Sequence, residues 1–199
     1  MVEEILAPGI NKYSVNSELM GTVYEKVSRL LDPFFEMGRI VTQTGNSYGQ
    51  AVDTKIRNAQ VRAVFDSKSC HPDDEIYTID ASLNSLVQPC MDLYSRYHGL
   101  NNIEQTHEWI YMKYQDGGFF NNHKDDGASL PRTVSLIAYL NDNYDGGEIE
   151  FPSFNVFLKP KQGDILIFSA AYPYVHNIKK TYNGIRYAAV KWYRYINPQ

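Results

Sequence analysis

A chain of 199 residues with 43% hydrophobic content suits one globular domain that buries about 70% of its unfolded surface. A net charge of −4 argues against a nonspecific nucleic-acid binder, and no apolar run approaches the length of a membrane span. Two cysteines, Cys70 and Cys90, are too few for a disulfide framework, and the acidic start Met1-Val2-Glu3-Glu4 lacks a signal-peptide core. A reduced, cytoplasmic setting is therefore the expectation.

The first half reads as helical with one irregular excursion. Leu19, Val23, Val27, Leu30 and Leu31 recur at helical spacing, and Asp32-Pro33 closes the run. From Thr42 to Asp53 the chain is rich in Gly, Ser, Asn and Gln, which suits either a plain surface loop or a lid over a site. Ile56 to Phe65 carries Val61, Ala63 and Phe65 in alternation and suits a strand. Ile79, Leu83, Leu86, Val87, Cys90 and Tyr94 make a second helical face that ends near Gly99, and Pro89 within it predicts a kink or two shorter helices. Both helical runs are read as packing elements.

From Trp109 onward short strands alternate with turns. The strands are expected at Trp109 to Tyr114, Thr133 to Leu140, Glu148 to Phe151, Val156 to Leu158, Ile165 to Phe168, His176 to Lys179 and Arg186 to Tyr193. Asn141 to Gly147 and Pro160 to Asp164 are turn clusters. The pattern predicts an α+β, mainly β chain: a double-stranded β-helix, or jelly roll, with N-terminal helices packed on one sheet. It is read as a single domain, 1–199, with helical support and a lid region in 1–103 and the jelly-roll core in 104–199.

The chemistry concentrates in that second half. His123-Lys124-Asp125 is followed by His176 and then Arg186. Two imidazoles and a carboxylate on one face of a metal leave the opposite positions open, the facial triad that suits non-haem Fe(II) oxygen chemistry. An arginine ten residues beyond the second histidine can hold a dicarboxylate by a two-pronged hydrogen bond. His71-Pro72-Asp73 has the same form, but it lies in a polar, proline-containing stretch and reads as a solvated turn. In the last strand Arg186, Ala188, Val190 and Trp192 share one face. That face is mainly apolar and predicted to point inward. Arg186 is then a buried cation in need of a partner, either a bound carboxylate or a protein acid such as Glu148 or Glu150.

Further segments extend the pattern: Tyr114-Gln115-Asp116-Gly117-Gly118-Phe119, Tyr139-Leu140-Asn141, Gly146-Gly147-Glu148-Ile149-Glu150-Phe151, Pro160-Lys161-Gln162-Gly163-Asp164 and Gly184-Ile185-Arg186. In this order, over about Glu104 to Tyr195, the chain resembles the catalytic domain of prolyl 4-hydroxylases, within the Fe(II)/2-oxoglutarate dioxygenase superfamily. The resemblance implies that His123, Asp125 and His176 bind iron and that Arg186 pairs with the distal carboxylate of 2-oxoglutarate. It implies that Tyr139 bonds the same carboxylate and that Tyr114 lines the cosubstrate pocket. Arg132 and Arg57 fall at positions implied to meet substrate, and Arg132 is otherwise a surface arginine. The implied reagents are Fe(II), 2-oxoglutarate and dioxygen, with ascorbate as an accessory. The implied reaction is hydroxylation of an unactivated C–H, foremost in a peptidyl proline, with release of succinate and CO2. Many collagen-type members carry lysine where this chain has Arg186, which leaves the substrate open. A peptide or protein partner is expected, with no membrane and no nucleic acid. The alternatives are a related dioxygenase acting on another residue, a free amino acid or a small metabolite, and a non-catalytic metal-binding jelly roll.

Overall fold

The computed structural model describes residues 1–44, 47–63, 75–106, 108–127 and 131–196. The chain runs β1 (Val2–Ala7), β2 (Ile10–Ser14), α1 (Ser17–Leu30), β3 (Glu36–Met37), β4 (Ile40–Thr44), β5 (Ser47–Ala51), β6 (Arg57–Asn58) and β7 (Gln60–Ala63). It continues through α2 (Glu75–His98), β8 (Ile103–Gln105), β9 (Ile110–Tyr114), β10 (Phe119–His123) and β11 (Val134–Tyr139). It ends with β12 (Asp145–Gly146), β13 (Ile149–Phe151), β14 (Val156–Leu158), β15 (Asp164–Ser169), β16 (His176–Ile178), β17 (Thr181–Tyr182) and β18 (Arg186–Tyr195).

Two antiparallel sheets carry the jelly roll. The larger has the order β1-β2-β15-β11-β18-β9-β7-β3, with β8 also on β18; the smaller has the order β14-β13-β16-β10-β6. The period of two along each strand sorts side chains between two cores. In β11, Ile137 and Tyr139 enter the space between the sheets with Ile149, Phe151 and Ile178. Leu136 and Ala138 turn the other way, onto the helices, with Tyr111, Tyr187 and Ala189. Met20, Val23 and Val27 of α1 and Ile79, Leu83, Val87 and Met91 of α2 complete that outer layer. Both faces of β18 are thus buried, and the face of Arg186, Ala188, Val190 and Trp192 points inward as its alternation predicts.

Local chemistry explains the helix ends. Asn16 caps α1, its Oδ1 accepting from the backbone N–H groups of Glu18 and Leu19 at 3.0 Å each. The apolar stripe is displaced from the expected one, because Leu19 is 54% exposed while Met20 is buried. Asp32-Pro33 does close the run, as the start of a short 3-10 turn.

Four expectations for the first half are corrected. The half is not mainly helical: seven strands precede α2 among the described residues. Pro8-Gly9 turns the β1–β2 hairpin, with Gly9 at φ +73°, and β2 pairs with β15. Of the segment 42–53, the described residues are not an irregular loop: β4 and β5 pair as a hairpin, Val41 with Gln50 and Thr42 with Gly49, and residues 45 and 46 lie outside the described residues. Pro89 neither divides nor ends α2, which is a single helix of 24 residues. Pro89 and Ser85, whose carbonyl loses its helical donor, both lie on the exposed side where water can serve. Within the strand expected at 56–65, the described residues form two strands, β6 in the smaller sheet and β7 in the larger, and residues 64 and 65 lie outside the described residues. Cys70 and the His71-Pro72-Asp73 motif fall outside the described residues. Cys90 is buried and unpaired by disulfide, and no described helix is long and apolar enough to cross a membrane.

Candidate metal and cosubstrate site

The site begins with a register. β10 pairs antiparallel with β16 so that His123 stands opposite His176. This brings the two imidazoles side by side, ring centroids 4.3 Å apart. Asp125 lies two residues beyond the end of β10, its backbone N–H donating to the Ala170 carbonyl at 3.1 Å. Its carboxylate is 3.7 Å from Nε2 of His123 and 3.9 Å from Nε2 of His176. Donor atoms of all three residues lie within 4.8 Å of one another.

The tautomers follow from the outer contacts. Nδ1 of His123 is 2.8 Å from the Asn121 carbonyl, and Nδ1 of His176 is 3.1 Å from the Tyr174 carbonyl. A carbonyl only accepts, so each Nδ1 carries a proton, and Nε2, the nitrogen nearer Asp125, is the one placed to ligate a metal. Burial, with the neighbouring His176, pushes the His123 imidazole well below its ordinary pKa and keeps it neutral. For Asp125 burial works to raise the pKa, but the two imidazoles, the Ser135 hydroxyl and the Trp192 indole outweigh it and hold the carboxyl ionised. Ser135 donates to Asp125 Oδ2 at 2.6 Å. Two imidazole nitrogens and one carboxylate are a donor set that suits a divalent cation, so the residues fit Fe(II).

Arg186 opens β18 opposite Tyr114 of β9 and is 1% exposed. Its guanidinium lies 4.7 Å from the Tyr114 ring and 5.1 Å from the Tyr139 ring. Nε and Nη1 are buried and complete no hydrogen bond of good geometry among the described residues, although the Tyr139 hydroxyl approaches. The protein acids considered as partners are not used: Glu150 bonds Lys179 at 2.5 Å and Asn177 at 2.8 Å, and no ion pair joins Arg186 to Glu148. A buried cation beside unused donors is a seat for an anion, and 2-oxoglutarate fits it.

A cavity of about 650 Å³ joins these parts; its wall includes His123, Asp125, His176, Arg186 and Tyr114. Arg57 and Arg132 also line it, so all but one of the residues singled out from the sequence meet in one space. The exception is Tyr139, fully buried against Arg186 and not part of the wall. The β4–β5 hairpin contributes Ile40, Val41 and Gln50 to the same wall.

Sequence reasoning missed several contributors. Ser135 shares the inward parity of Ile137, a signal that was present, but its link to Asp125 is tertiary. Gly147, read as a turn residue, sits at φ +67°, and a Cβ there would lie 3.0 Å from Cδ of Arg186 and 2.9 Å from Cε2 of Tyr144. Glycine is thus required both by the backbone and by the close approach of the arginine.

Comparison with known proteins places this geometry. The 2OG-Fe(II) oxygenase superfamily model matches residues 109–194. Among curated proteins, the chain is 23% identical over 134 residues to a prolyl 4-hydroxylase candidate of Acanthamoeba polyphaga mimivirus, over 56% of this chain and 54% of that protein. It is 32% identical over 75 residues to prolyl 3-hydroxylase 2 of Mus musculus, over 35% of this chain and 11% of that protein. The chain therefore spans about half the length of the first relative and far less of the second. Among solved structures, a prolyl hydroxylase from Trichoplax adhaerens in complex with a hypoxia inducible factor peptide fragment shares the fold. Its TM-score is 0.70 at 22% identity, covering 94% of this chain and 83% of that one. A viral collagen prolyl hydroxylase of Paramecium Bursaria Chlorella virus-1 gives a TM-score of 0.64 at 16% identity, covering 94% and 97%. The resemblance read from the sequence holds, and it supports a 2-oxoglutarate- and Fe(II)-dependent oxygenase.

Proposed function

We propose that this protein is an Fe(II)/2-oxoglutarate-dependent dioxygenase that hydroxylates a peptidyl proline and releases succinate and CO2. The observation that carries the reading is the pairing of the open His123–Asp125–His176 triad with the buried, unmatched Arg186 in one cavity. His123 and His176 would hold the metal through Nε2, and Asp125 through its carboxylate. Bound Fe(II) supplies the activation of dioxygen, while the chain supplies ligands, orientation and shelter from water. The Asn121 and Tyr174 carbonyls fix the two tautomers, and Ser135 aims Asp125. Arg186, between Tyr114 and Tyr139, would bind the far carboxylate of the cosubstrate. The proline substrate is supported by the named relatives and by the peptide complex of the Trichoplax protein.

A related dioxygenase acting on another residue, a free amino acid or a small metabolite uses the same triad and is the second reading. A purely structural metal is disfavoured, because structural sites are closed by protein ligands and only three donors converge among the described residues. The deciding experiment incubates anaerobically loaded Fe(II) enzyme with 2-oxoglutarate and a proline-rich peptide library, then admits oxygen. Succinate and a peptide gain of one oxygen, mapped to proline, are expected. Oxygen placed on another residue would remove the prolyl reading. Succinate production at the normal rate by His176→Ala would remove the whole assignment.

A further inference from the structure

Two further guanidiniums face the cavity, and the fold gives each a fixed seat. Arg57, in β6, stacks 4.8 Å from the Phe120 ring and donates from Nη1 to the Arg39 carbonyl at 3.1 Å. A Cβ at Gly38 would fall 2.8 Å from its Cζ and Nε, so the backbone at Gly38 lies against the guanidinium edge. Arg132 stacks 3.6 Å from the Trp192 ring centroid and donates from Nη1 to the Asp125 carbonyl at 3.2 Å. Each seat adjoins the triad: Phe120 stacks on His123 at 3.6 Å, and the carbonyl anchor of Arg132 belongs to Asp125 itself.

Neither arginine forms an ion pair among the described residues, although Asp125 attracts both. Nε of Arg57 is buried with no hydrogen-bond partner among them. Asp126, the acid beside Arg132, accepts from its backbone N–H at 3.2 Å. Glu36 is the other acid on the wall outside the triad, against Arg39, Lys124 and this pair. Two guanidiniums seated by stacking on one cavity wall, with Nε of Arg57 buried and unused, present donors that an anion can take.

We propose that Arg57 and Arg132 form a second carboxylate site, separate from Arg186, that selects a substrate carrying a carboxylate close to the carbon to be hydroxylated. The inference rests on the dioxygenase reading of the cavity and narrows its substrate class. Two planar forks held by stacking suit a carboxylate, since little side-chain freedom remains to be lost on binding. The carboxylate comes from an acidic side chain next to the target residue or from the end of a chain, and both sources present the same group.

The test is calorimetric, on full-length enzyme loaded with Mn(II) and 2-oxoglutarate, so binding is read without turnover. One probe pair is capped Ala-Glu-Pro-Ala and its Gln counterpart. A second is acetyl-Ala-Pro with a free carboxylate and with an amide end. A third is capped Ala-Glu-Ala and its Gln counterpart, without proline. In at least one pair the carboxylate member is expected to bind about tenfold to a hundredfold more tightly than its amide. The gap should shrink in raised salt and collapse in Arg57→Gln and Arg132→Gln, and the pair that shows it identifies the source. Gly38→Ala, which displaces Arg57 without removing its charge, should narrow the gap as well. Arg57→Lys and Arg132→Lys, checked for native unfolding curves, serve if the glutamine variants do not fold; they should leave an intermediate gap. Equal binding within every pair, a gap that survives in both arginine variants, or no binding of any probe overturns the proposal. A gap confined to the proline-free pair would keep the carboxylate site and count against a prolyl substrate. Hydroxylation of both proline probes with no gap would do the reverse.

Discussion

Arg186 shows how a single side chain can be committed to a ligand by what surrounds it. It is buried between two tyrosine rings with donors left unused, and one candidate acid, Glu150, is bound to Lys179 and Asn177. A charge in that position is costly unless an anion arrives. Arg186→Ala is therefore expected to weaken 2-oxoglutarate binding about tenfold to a hundredfold, the value of one or two charge-assisted hydrogen bonds. Arg186→Lys should retain part of the affinity, as a point charge without the fork. Titration of 2-oxoglutarate into anaerobic Fe(II) enzyme, followed by the metal-to-ligand absorption band, measures both. Iron affinity should be nearly unchanged, since Arg186 is not a ligand. Equal cosubstrate affinity in wild type and Arg186→Ala would place the far carboxylate elsewhere.

At the scale of elements, the helices serve as backing for the larger sheet. Ile79, Leu83, Val87 and Met91 of α2 bury against it, while Pro89 points away. That position removes one helical hydrogen bond without serving the packing, so Pro89→Ala should stabilise the protein by about 1–3 kcal/mol. Urea unfolding would show it as a higher midpoint at unchanged slope. A lower midpoint would mean that α2 is bent to fit the sheet and needs the proline. The β4–β5 hairpin is the opposite kind of element. It pairs only with itself among the described residues, yet it supplies Ile40, Val41 and Gln50 to the cavity wall. Its weak attachment to either sheet suits a part that adjusts to substrate.

At the scale of the molecule, the layer between α2 and the larger sheet contains a polar seam. Asp80 accepts from the Tyr111 hydroxyl at 2.6 Å, and Lys191 donates to Asn84 at 2.8 Å. Burial raises the Asp80 carboxyl from 3.8 to about 6, with Glu108 adding to the rise and Tyr111 and Lys191 opposing it. The folded state thus holds this proton more tightly than the unfolded chain. Its contribution to stability falls as pH rises from about 4 to about 6, and the full cost of the ionised form is present above that. Asp80→Asn keeps the acceptor for Tyr111 and removes the charge. It should be more stable than wild type at pH 7, by up to about 3 kcal/mol, and the gain should vanish near pH 4. Denaturant unfolding of both proteins at the two pH values decides this. A destabilised variant at pH 7 would show that the charge earns its place beside Lys191.

Much of the site was legible because its signals are local. His123-Lys124-Asp125 sits at the end of an alternating strand, and the parity of Arg186 with Ala188, Val190 and Trp192 follows from the pleat alone. The helical faces around Val23 and Leu83 were legible for the same reason, since a period of 3.6 is written in neighbouring residues. The N-terminal hairpin was not, because β2 is held by β15, some 150 residues away, as the Ser14–Asp164 contact shows. Nor were the partners of the site: Ser135 reaches Asp125, and Trp192 seats Arg132, only once β11 and β18 lie side by side. The sequence by itself determined which residues could bind a metal and a dicarboxylate. The tertiary structure decided the register that sets His123 against His176, left Arg186 without a protein acid, and turned Arg57 and Arg132 onto the same cavity. Those outcomes depend on pairings between distant strands, and a strand's own residues encode its two faces but not its neighbour.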